Sequence, residues 1–412
     1  MGMTMAEKIL ANHSTPHKDV VEPGEFVTVN IDTVGLYSRP IPEYRYKKIW
    51  NPKRIWIVDE HQVPCYDAAS AENHRRNRVF AKEYGLKWIE HGRQGIGHQL
   101  AAEIGFHIPG GIYCCADSHT PSGGGLNCAS TGHGPLEIAS IVATGKTWYR
   151  CAPTVKFEFV GKMPKMLMAR DLILFMGGNW PPFVNMNAEY LGPVADSMSL
   201  DGRRCIATAS PEISVDFGLF KADQKALDYV KKRTPFPELI NPVEPDEDAK
   251  YGQEITIDVT DMESQVAFPH RMANVAPVSE IEKKEVKIDL AFVGACTNGR
   301  LEDIRMVADI VRGKIIHPDV RLIVTPGSQE IFREATRLGY ASDIAEAEGI
   351  FTASRCSPCG GGNLGKGEVA VTASTRNFKG RMGHPDSFVY CASPATVAAS
   401  ALTGYITDPR KV

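Results

Sequence analysis

The sequence predicts a mixed α/β protein built from parallel βαβ units, and three observations carry that prediction. Short β-rich runs recur, each followed by a polar or glycine-rich loop and then a helical stretch: RIWIVDEHQVP, GIYCCADSHT, KIDLAFVGACTNGR, VRLIVTPGSQEIFREATRLG and EGIFTASRCSPC. Runs such as IDLAFVGA are continuously apolar, as strands covered on both faces of a parallel sheet must be. Cys, His and Asp gather where these runs end, and in such sheets reactive groups sit on the loops leaving the carboxyl ends of strands.

The composition suits this class. A chain of 412 residues exceeds what one core usually supports, so about two to four domains are expected. Apolar residues make up 43% and charged residues 23%, the balance of a water-exposed globular protein, and 37 Gly with 27 Pro point to many tight turns. The net charge of −3 offers no basic footprint for nucleic acid or an anionic membrane. The opening MGMTMAEKILANHS lacks a basic segment followed by an apolar core, and no later stretch approaches about 18 uninterrupted apolar residues. The expectation is a cytoplasmic protein, or one of an organelle matrix if this form is processed.

Along the chain, the Cys- and Gly-rich first part gives way near residue 153 to PTVKFEFVGKMP. In GGNWPPFVNM, Pro181-Pro182 must break a helix. Residues 233–265 are Pro-rich and acidic, which reads as a solvated excursion before a short strand. A second break, VSEIEKKEVK, precedes the strand at 288. The expected domains are therefore 1–153, 154–280 and 281–412, without internal repeats.

The ten cysteines are too scattered for a disulfide framework. Cys356 and Cys359, in RCSPCGGGNLGKG, leave several readings open. A dithiol redox pair needs a helix N-terminus after a strand, and usually lies early in a compact domain. A closed zinc site wants a second pair at similar spacing, which is missing. Gly360, Gly365 and Lys366 fit part of a phosphate loop, but Gly367 replaces the Ser or Thr that should hold magnesium. The fourth reading adds Cys296, on the turn of FVGACTNGR: three thiolates can hold a four-iron cluster and leave one iron open as a Lewis acid. The plain alternative is three unrelated buried cysteines.

Over nearly the whole chain the sequence resembles the aconitase family of iron–sulfur hydro-lyases, and in length it is similar to the family's separate large subunits, of the 3-isopropylmalate dehydratase and homoaconitase kind. The motifs that carry the resemblance, in order, are GIGHQ, ADSHTPSGGG, ACTNGR, CSPC with the later TRNFKGRMG, and VYCASPATVAASALTGYITDP. The resemblance implies three aconitase-type α/β domains around a central cluster site, without the swivelling fourth domain. It makes Cys296, Cys356 and Cys359 the ligands of a 4Fe-4S cluster with one open iron. It makes Arg376 and Arg381 binders of substrate carboxylates, a role for which a planar fork of donors is suited, and puts Asn298 and Arg300 on the turn beside the first ligand.

By the same resemblance His61 handles the proton of the leaving hydroxyl. The family usually has Asp directly before this histidine, whereas here Glu60 stands there, preceded by Asp59. His98 and the Asp117-Ser118-His119 group match the family's other active-site polar cluster. Glu189 matches a glutamate near the cluster-bound water, and Glu212 occupies a similar acidic position. Thr375 stands where the family commonly has Asn, His133 where it has an apolar or small residue, and Lys366 has no role in the family pattern.

The reaction implied is removal and re-addition of water on a 2- or 3-hydroxy di- or tricarboxylic acid, such as 3-isopropylmalate, homoaconitate or a dimethylmalate. The family's carbon base is a serine on the swivelling domain, so the resemblance implies a separate small subunit that supplies it. Two readings of other classes stand beside this one: a non-catalytic protein that binds RNA when its cluster is absent, and a P-loop enzyme that binds nucleotide through Lys366.

Overall fold

All five of the β-rich runs are strands, and most sit in the interior of parallel sheets. A computed structural model describes residues 2–37, 46–89, 91–356 and 364–412. The chain divides into two compact units, one of Met1–Gly161 with Phe183–Ile257 and the other of Lys162–Pro182 with Asp258–Val412.

In the first unit the strands are β1 (Phe26–Asn30), β2 (Thr33–Tyr37), β3 (Ile55–Val58), β4 (Lys87–Ile89), β5 (Ile112–Cys115), β6 (Ala129–Gly132), β7 (Lys146–Arg150), β8 (Thr154–Val160), β9 (Met186–Leu191), β10 (Val215–Leu219) and β11 (Gln253–Asp258). Five of them form a sheet in the order β4-β3-β2-β5-β6, parallel throughout. β1 and β7 make a separate antiparallel ribbon, and β10-β9-β8-β11 a second sheet. The sequence of β3, IWIV, is buried at every position, the mark of a strand covered on both faces. Each such side chain contributes about 1.5–3 kcal/mol of transfer free energy.

Local signals explain the flanking helices. Helix α1 (Met5–His13) starts with a reciprocal capping box between Thr4 and Glu7. Helix α2 (Ala68–Tyr84) is capped by Asp67, whose side chain accepts from the Ser70 N–H, and closes on Gly85 in the left-handed region. Helix α3 (Gly97–Glu103) follows β4, and helix α4 (Pro135–Thr144) follows β6. The glycine run forms a 3-10 helix, Thr120–Leu126, packed against the helix Leu200–Ala209. A Cβ on Gly124 would stand 1.8 Å from the Gly218 carbonyl oxygen, so the run is glycine because backbone meets backbone there.

The second unit carries β12 (Gln265–Ala267), β13 (Val275–Pro277), β14 (Leu290–Val293), β15 (Arg321–Val324), β16 (Ile350–Phe351), β17 (Val369–Thr372) and β18 (Phe388–Cys391). They form one sheet, β13-β12-β18-β17-β14-β15-β16, parallel from β18 to β16 and antiparallel at the β12 and β13 end. Helix α5 (Ala169–Asn179) ends just before Pro181-Pro182, as the pair requires. The acidic, Pro-rich stretch leads into β11 as expected, yet it is pinned at Val243, whose N–H and C=O both bond the Asn127 side chain. No helix among the described residues is long and apolar enough to cross a membrane.

Candidate active site

Each unit collects chemically active side chains at the carboxyl edge of its parallel sheet. In the first unit, Glu60 and His61 follow β3, Asp117, Ser118 and His119 follow β5, and His98 lies in the first turn of α3. Glu60 is buried; its Oε2 accepts from the Gly97 N–H at 2.6 Å, and its Oε1 lies 3.6 Å from His61 Nδ1. The longer carboxylate in place of the family's Asp thus reaches ion-pair distance of the ring while being held by the α3 backbone. The position is glycine because a Cβ there would stand 2.6 Å from the Tyr37 ring. Burial raises the Glu60 carboxyl, against the lowering influence of His61.

His98 Nε2 lies 2.8 Å from Asp117 Oδ1, which also accepts from the His119 N–H at 2.9 Å. Burial works against the Asp117 charge, but the His98 hydrogen bond and the charges of His98 and His119 prevail and hold this carboxyl well below the usual range. His119 Nε2 in turn lies 3.0 Å from Glu212 Oε1. The two rings sit edge to face with centroids 6.4 Å apart. The result is a pair of histidine–carboxylate couples, each fixing which ring nitrogen meets the carboxylate and leaving the other to meet a partner. Ser118 between them is exposed, and His61 is half-buried.

Of the two glutamates considered, Glu212 is the one in contact with this cluster. Glu189 lies on β9, fully buried, where it accepts from the Met5 N–H at the start of α1 and from the Tyr251 hydroxyl. Burial pushes its carboxyl up to about 7. Arg204, which the sequence reading did not single out, is buried and donates to the His98 carbonyl at 3.1 Å. Nothing in the run DGRRC marks it, and only the packing of its helix on the glycine run does so. His133, directly after β6, bonds within a separate cluster with Thr131 and Tyr149, at 3.1 and 3.0 Å, beside a cavity of about 840 Å³ that includes Lys146, Asn187 and Asp216 in its walls.

In the second unit the carboxyl edges of β17, β14 and β16 carry Arg376, Cys296 and Cys356. Cys296 is the second residue of a four-residue helical turn, Ala295–Asn298, which follows β14 after Gly294, and Ala295 takes a left-handed backbone at φ 66°. That strain at a non-glycine residue is sustained by bonds around the turn. Thr297 donates to the Ala373 carbonyl at 3.1 Å, Asn298 to Asp303 Oδ1 at 3.0 Å, and Arg300 to the Thr297 carbonyl, while the Arg300 N–H meets Asp303 Oδ2 at 2.9 Å. Asn298 and Arg300 are thereby tied into the turn itself. Burial, reinforced by the Glu302 charge, pushes Asp303 up to about 8.

The neighbouring turn after β17 is held in the same manner, by a bond from the buried Arg170 to the Ser374 carbonyl at 2.7 Å. Arg376 and Arg381 on it are half-buried, and the Arg381 guanidinium lies 5.5 Å from the Phe378 ring. Cys296 and Cys356 are both buried, and among the described residues neither forms a disulfide. Cys359 lies outside the described residues. Lys366 is exposed on a turn that enters β17, whereas the lysine of a phosphate loop must stand at the start of a helix, so the nucleotide reading is not supported.

The first unit's edge thus offers histidine–carboxylate couples, and the second unit's edge offers buried thiols and half-buried guanidines. The aconitase family (aconitate hydratase) matches residues 57–404. The chain belongs to that family. It is 40% identical to 3-isopropylmalate dehydratase large subunit 1 of Methanopyrus kandleri, covering all of this chain and 99% of that one. It is 42% identical to the 3-isopropylmalate dehydratase large subunit of Mycolicibacterium smegmatis, covering all of this chain and 98% of the other. Among solved structures, aconitase X of Thermococcus kodakaraensis (holo form) superposes with a TM-score of 0.51 at 14% identity, over 85% of this chain and 84% of that one, a likeness of fold.

Proposed function

We propose that this chain is the cluster-bearing large subunit of a hydro-lyase of the 3-isopropylmalate dehydratase type, which removes and re-adds water on a hydroxy di- or tricarboxylic acid. The observation that carries the reading is identity of about 40% with such large subunits from end to end of the chain. Homoaconitate and dimethylmalate remain the acids to compare with 3-isopropylmalate.

The cofactor proposed is a 4Fe-4S cluster held by Cys296, Cys356 and Cys359. The donor set fits: Cys296 and Cys356 are buried thiols at the carboxyl ends of strands in one sheet, and thiolates are the ligands such clusters take. When bound, a cluster with one iron not ligated by cysteine supplies a Lewis acid for hydroxyl and carboxylate oxygens. The remaining roles fall to side chains. Arg376 and Arg381 hold a substrate carboxylate, the bidentate task of a guanidinium. His61, oriented by Glu60, gives a proton to the departing hydroxyl, which is a poor leaving group without one. His98 with Asp117, and His119 with Glu212, hold protons at fixed nitrogens, while Ser118 stays open to solvent. Asn298 and Arg300 position the Cys296 turn, and we assign to Glu212 the part that the family pattern gave to Glu189.

The base that removes the carbon-bound proton is proposed to be a serine on a separate small subunit, a reading supported by the words large subunit in the relatives' names. We also propose the domain division 1–153, 154–280 and 281–412. It is supported by the five-stranded sheet falling within the first range, the four-stranded sheet within the second and the strands β14 to β18 within the third. The test is anaerobic reconstitution of the chain with iron and sulfide, alone and with a small subunit of this enzyme class, following enoate absorbance with each acid. Turnover of 3-isopropylmalate only by the pair is expected. High turnover by the cluster-loaded chain alone, or none by the pair with any of the acids, overturns the reading.

A further inference from the structure

A second constellation of metal-ligating side chains sits in the first unit, apart from the roles assigned above. Asp59 directly follows β3, His74 lies on α2, and His91 comes just after β4. One ligand atom from each of the three lies within 4.8 Å of the others. His74 Nδ1 stands 3.7 Å from Asp59 Oδ2 and 3.0 Å from Cys65 Sγ, so a fourth donor faces the same ring nitrogen. The Asp59–His74 separation is that of neighbouring ligands around one tetrahedral zinc, where bonds of about 2.0–2.3 Å place the donors roughly 3.3–3.7 Å apart, while the Cys65 thiol stands at hydrogen-bond distance from the ring, next to the three grouped ligands.

The state of Asp59 points to a ligand. The residue is 1% exposed, and its Oδ2 accepts no hydrogen bond among the described residues, although a buried carboxylate oxygen ordinarily must. Its other oxygen accepts from Asn77 Nδ2 at 2.6 Å, as carboxylates that ligate metals are oriented by a neighbouring donor. His74 uses a single nitrogen, Nδ1, toward both Asp59 and Cys65. A Cys-His-Asp nucleophile arrangement needs the two partners on opposite nitrogens, whereas a shared metal needs them on the same one. His91 is exposed and supplies an entry path.

We propose that Asp59, Cys65, His74 and His91 form a binding site for a divalent zinc-like ion, separate from the cluster cysteines. A donor set with two imidazoles, a carboxylate and a neighbouring thiol suits zinc or cobalt better than magnesium or calcium, which take oxygen alone. The ion ties the loop 59–67 to α2 and to the turn after β4. That loop carries Glu60 and His61, so the site positions them without touching substrate.

The test is zinc content per chain by elemental analysis of the full-length, cluster-loaded protein after exposure to zinc and gel filtration against a weak chelator. One zinc per chain beyond the iron is expected, and His91→Ala and Cys65→Ser each lose it. Asn77→Ala weakens zinc by about 10–100-fold in a chelator competition, as loss of an orienting partner does. His91 is exposed and its replacement leaves the core intact, and the circular dichroism of each variant checks that it folds. To separate this site from zinc caught by empty cluster cysteines, the same measurement is made on the chain with Cys296, Cys356 and Cys359 all replaced by Ser, which retains its zinc. Cobalt in that chain gives a thiolate charge-transfer band that disappears with Cys65→Ser. Absence of zinc from the unsubstituted chain, or zinc that survives His91→Ala and vanishes with the cluster cysteines, overturns the proposal.

Discussion

The carboxyl edges of the two parallel sheets are built on the same topology and wired in opposite ways. At the edge of the β4-β3-β2-β5-β6 sheet, side chain bonds side chain: His98 to Asp117, His119 to Glu212, and Glu60 within ion-pair reach of His61. At the edge of the β17-β14-β15-β16 strands, side chain mostly bonds backbone: Thr297 to Ala373, Arg300 to Thr297 and Arg170 to Ser374. The difference fits the role proposed for each edge. A group that moves protons needs a titratable partner to set its affinity. A thiolate that ligates a cluster, or a guanidinium that clamps a carboxylate, needs its position fixed, and carbonyls locked by buried donors fix it without adding charge.

The largest effect expected of breaking the comparison is at Cys296. Cys296→Ser removes a thiolate while keeping the turn, so iron and sulfide content of the reconstituted chain fall together and hydro-lyase activity drops to background. A variant that keeps a full cluster complement would show that the second edge is not the ligand edge. The next effect is on the first edge. Asp117→Asn keeps the shape but removes the charge that orients His98 and meets the His119 N–H, and kcat is expected to fall about 10²–10⁴-fold. Iron content stays at the unsubstituted level, which is the reading that separates the proton-handling edge from the ligand edge. Glu212→Gln is expected to act in the same sense through His119, with a change in the pH profile as its mark.

A smaller effect tests the backbone wiring. Thr297→Val keeps the volume but leaves the buried Ala373 carbonyl without its donor, at a cost of about 1–3 kcal/mol. The turn holding Ala295 in its left-handed conformation loosens, and the expected outcome is lower thermal stability with faster loss of iron on exposure to air. Unchanged iron retention would mean that the turn is held by Arg300 and Asp303 alone.

Much of this was legible in the sequence, for physical reasons. Strands buried on both faces must be apolar throughout, so β3, β5 and β14 announced themselves, and the residues just beyond them fell on reactive loops. What the sequence did not reveal are contacts that depend on which distant helix packs where. Arg204 reaches the His98 carbonyl because its helix lies on the glycine run, and Asp59, His74 and His91 come together from three elements with no shared spacing. The N-terminal helix is legible as well, since Thr4 and Glu7 have the spacing of a capping box. The proposed exchange of Glu189 for Glu212 has a similar cause: Glu189 lies within β9 and Glu212 on the turn before β10, and only the pairing of β9 with β8 and β10 shows that Glu189 meets α1 and Tyr251.

That exchange yields the smallest and most specific prediction. In the folded chain the Glu189 carboxyl is raised from 4.5 to about 7, chiefly by burial and against the hydrogen bonds from Tyr251 and Met5. The folded state therefore binds this proton more tightly than the unfolded state. The group's contribution is fully present below about pH 4.5 and is lost as pH rises through 7, with a ceiling of about 3 kcal/mol. Gln in this place is neutral at every pH, can still accept from the Met5 N–H, and can turn its amide toward the Tyr251 oxygen. Glu189→Gln should thus melt close to the unsubstituted chain at pH 5 and be more stable by about 1–2 kcal/mol at pH 8. A stability difference that does not change between these pH values would mean that Glu189 is charged in the fold at both, and that its burial against α1 is matched by a cation.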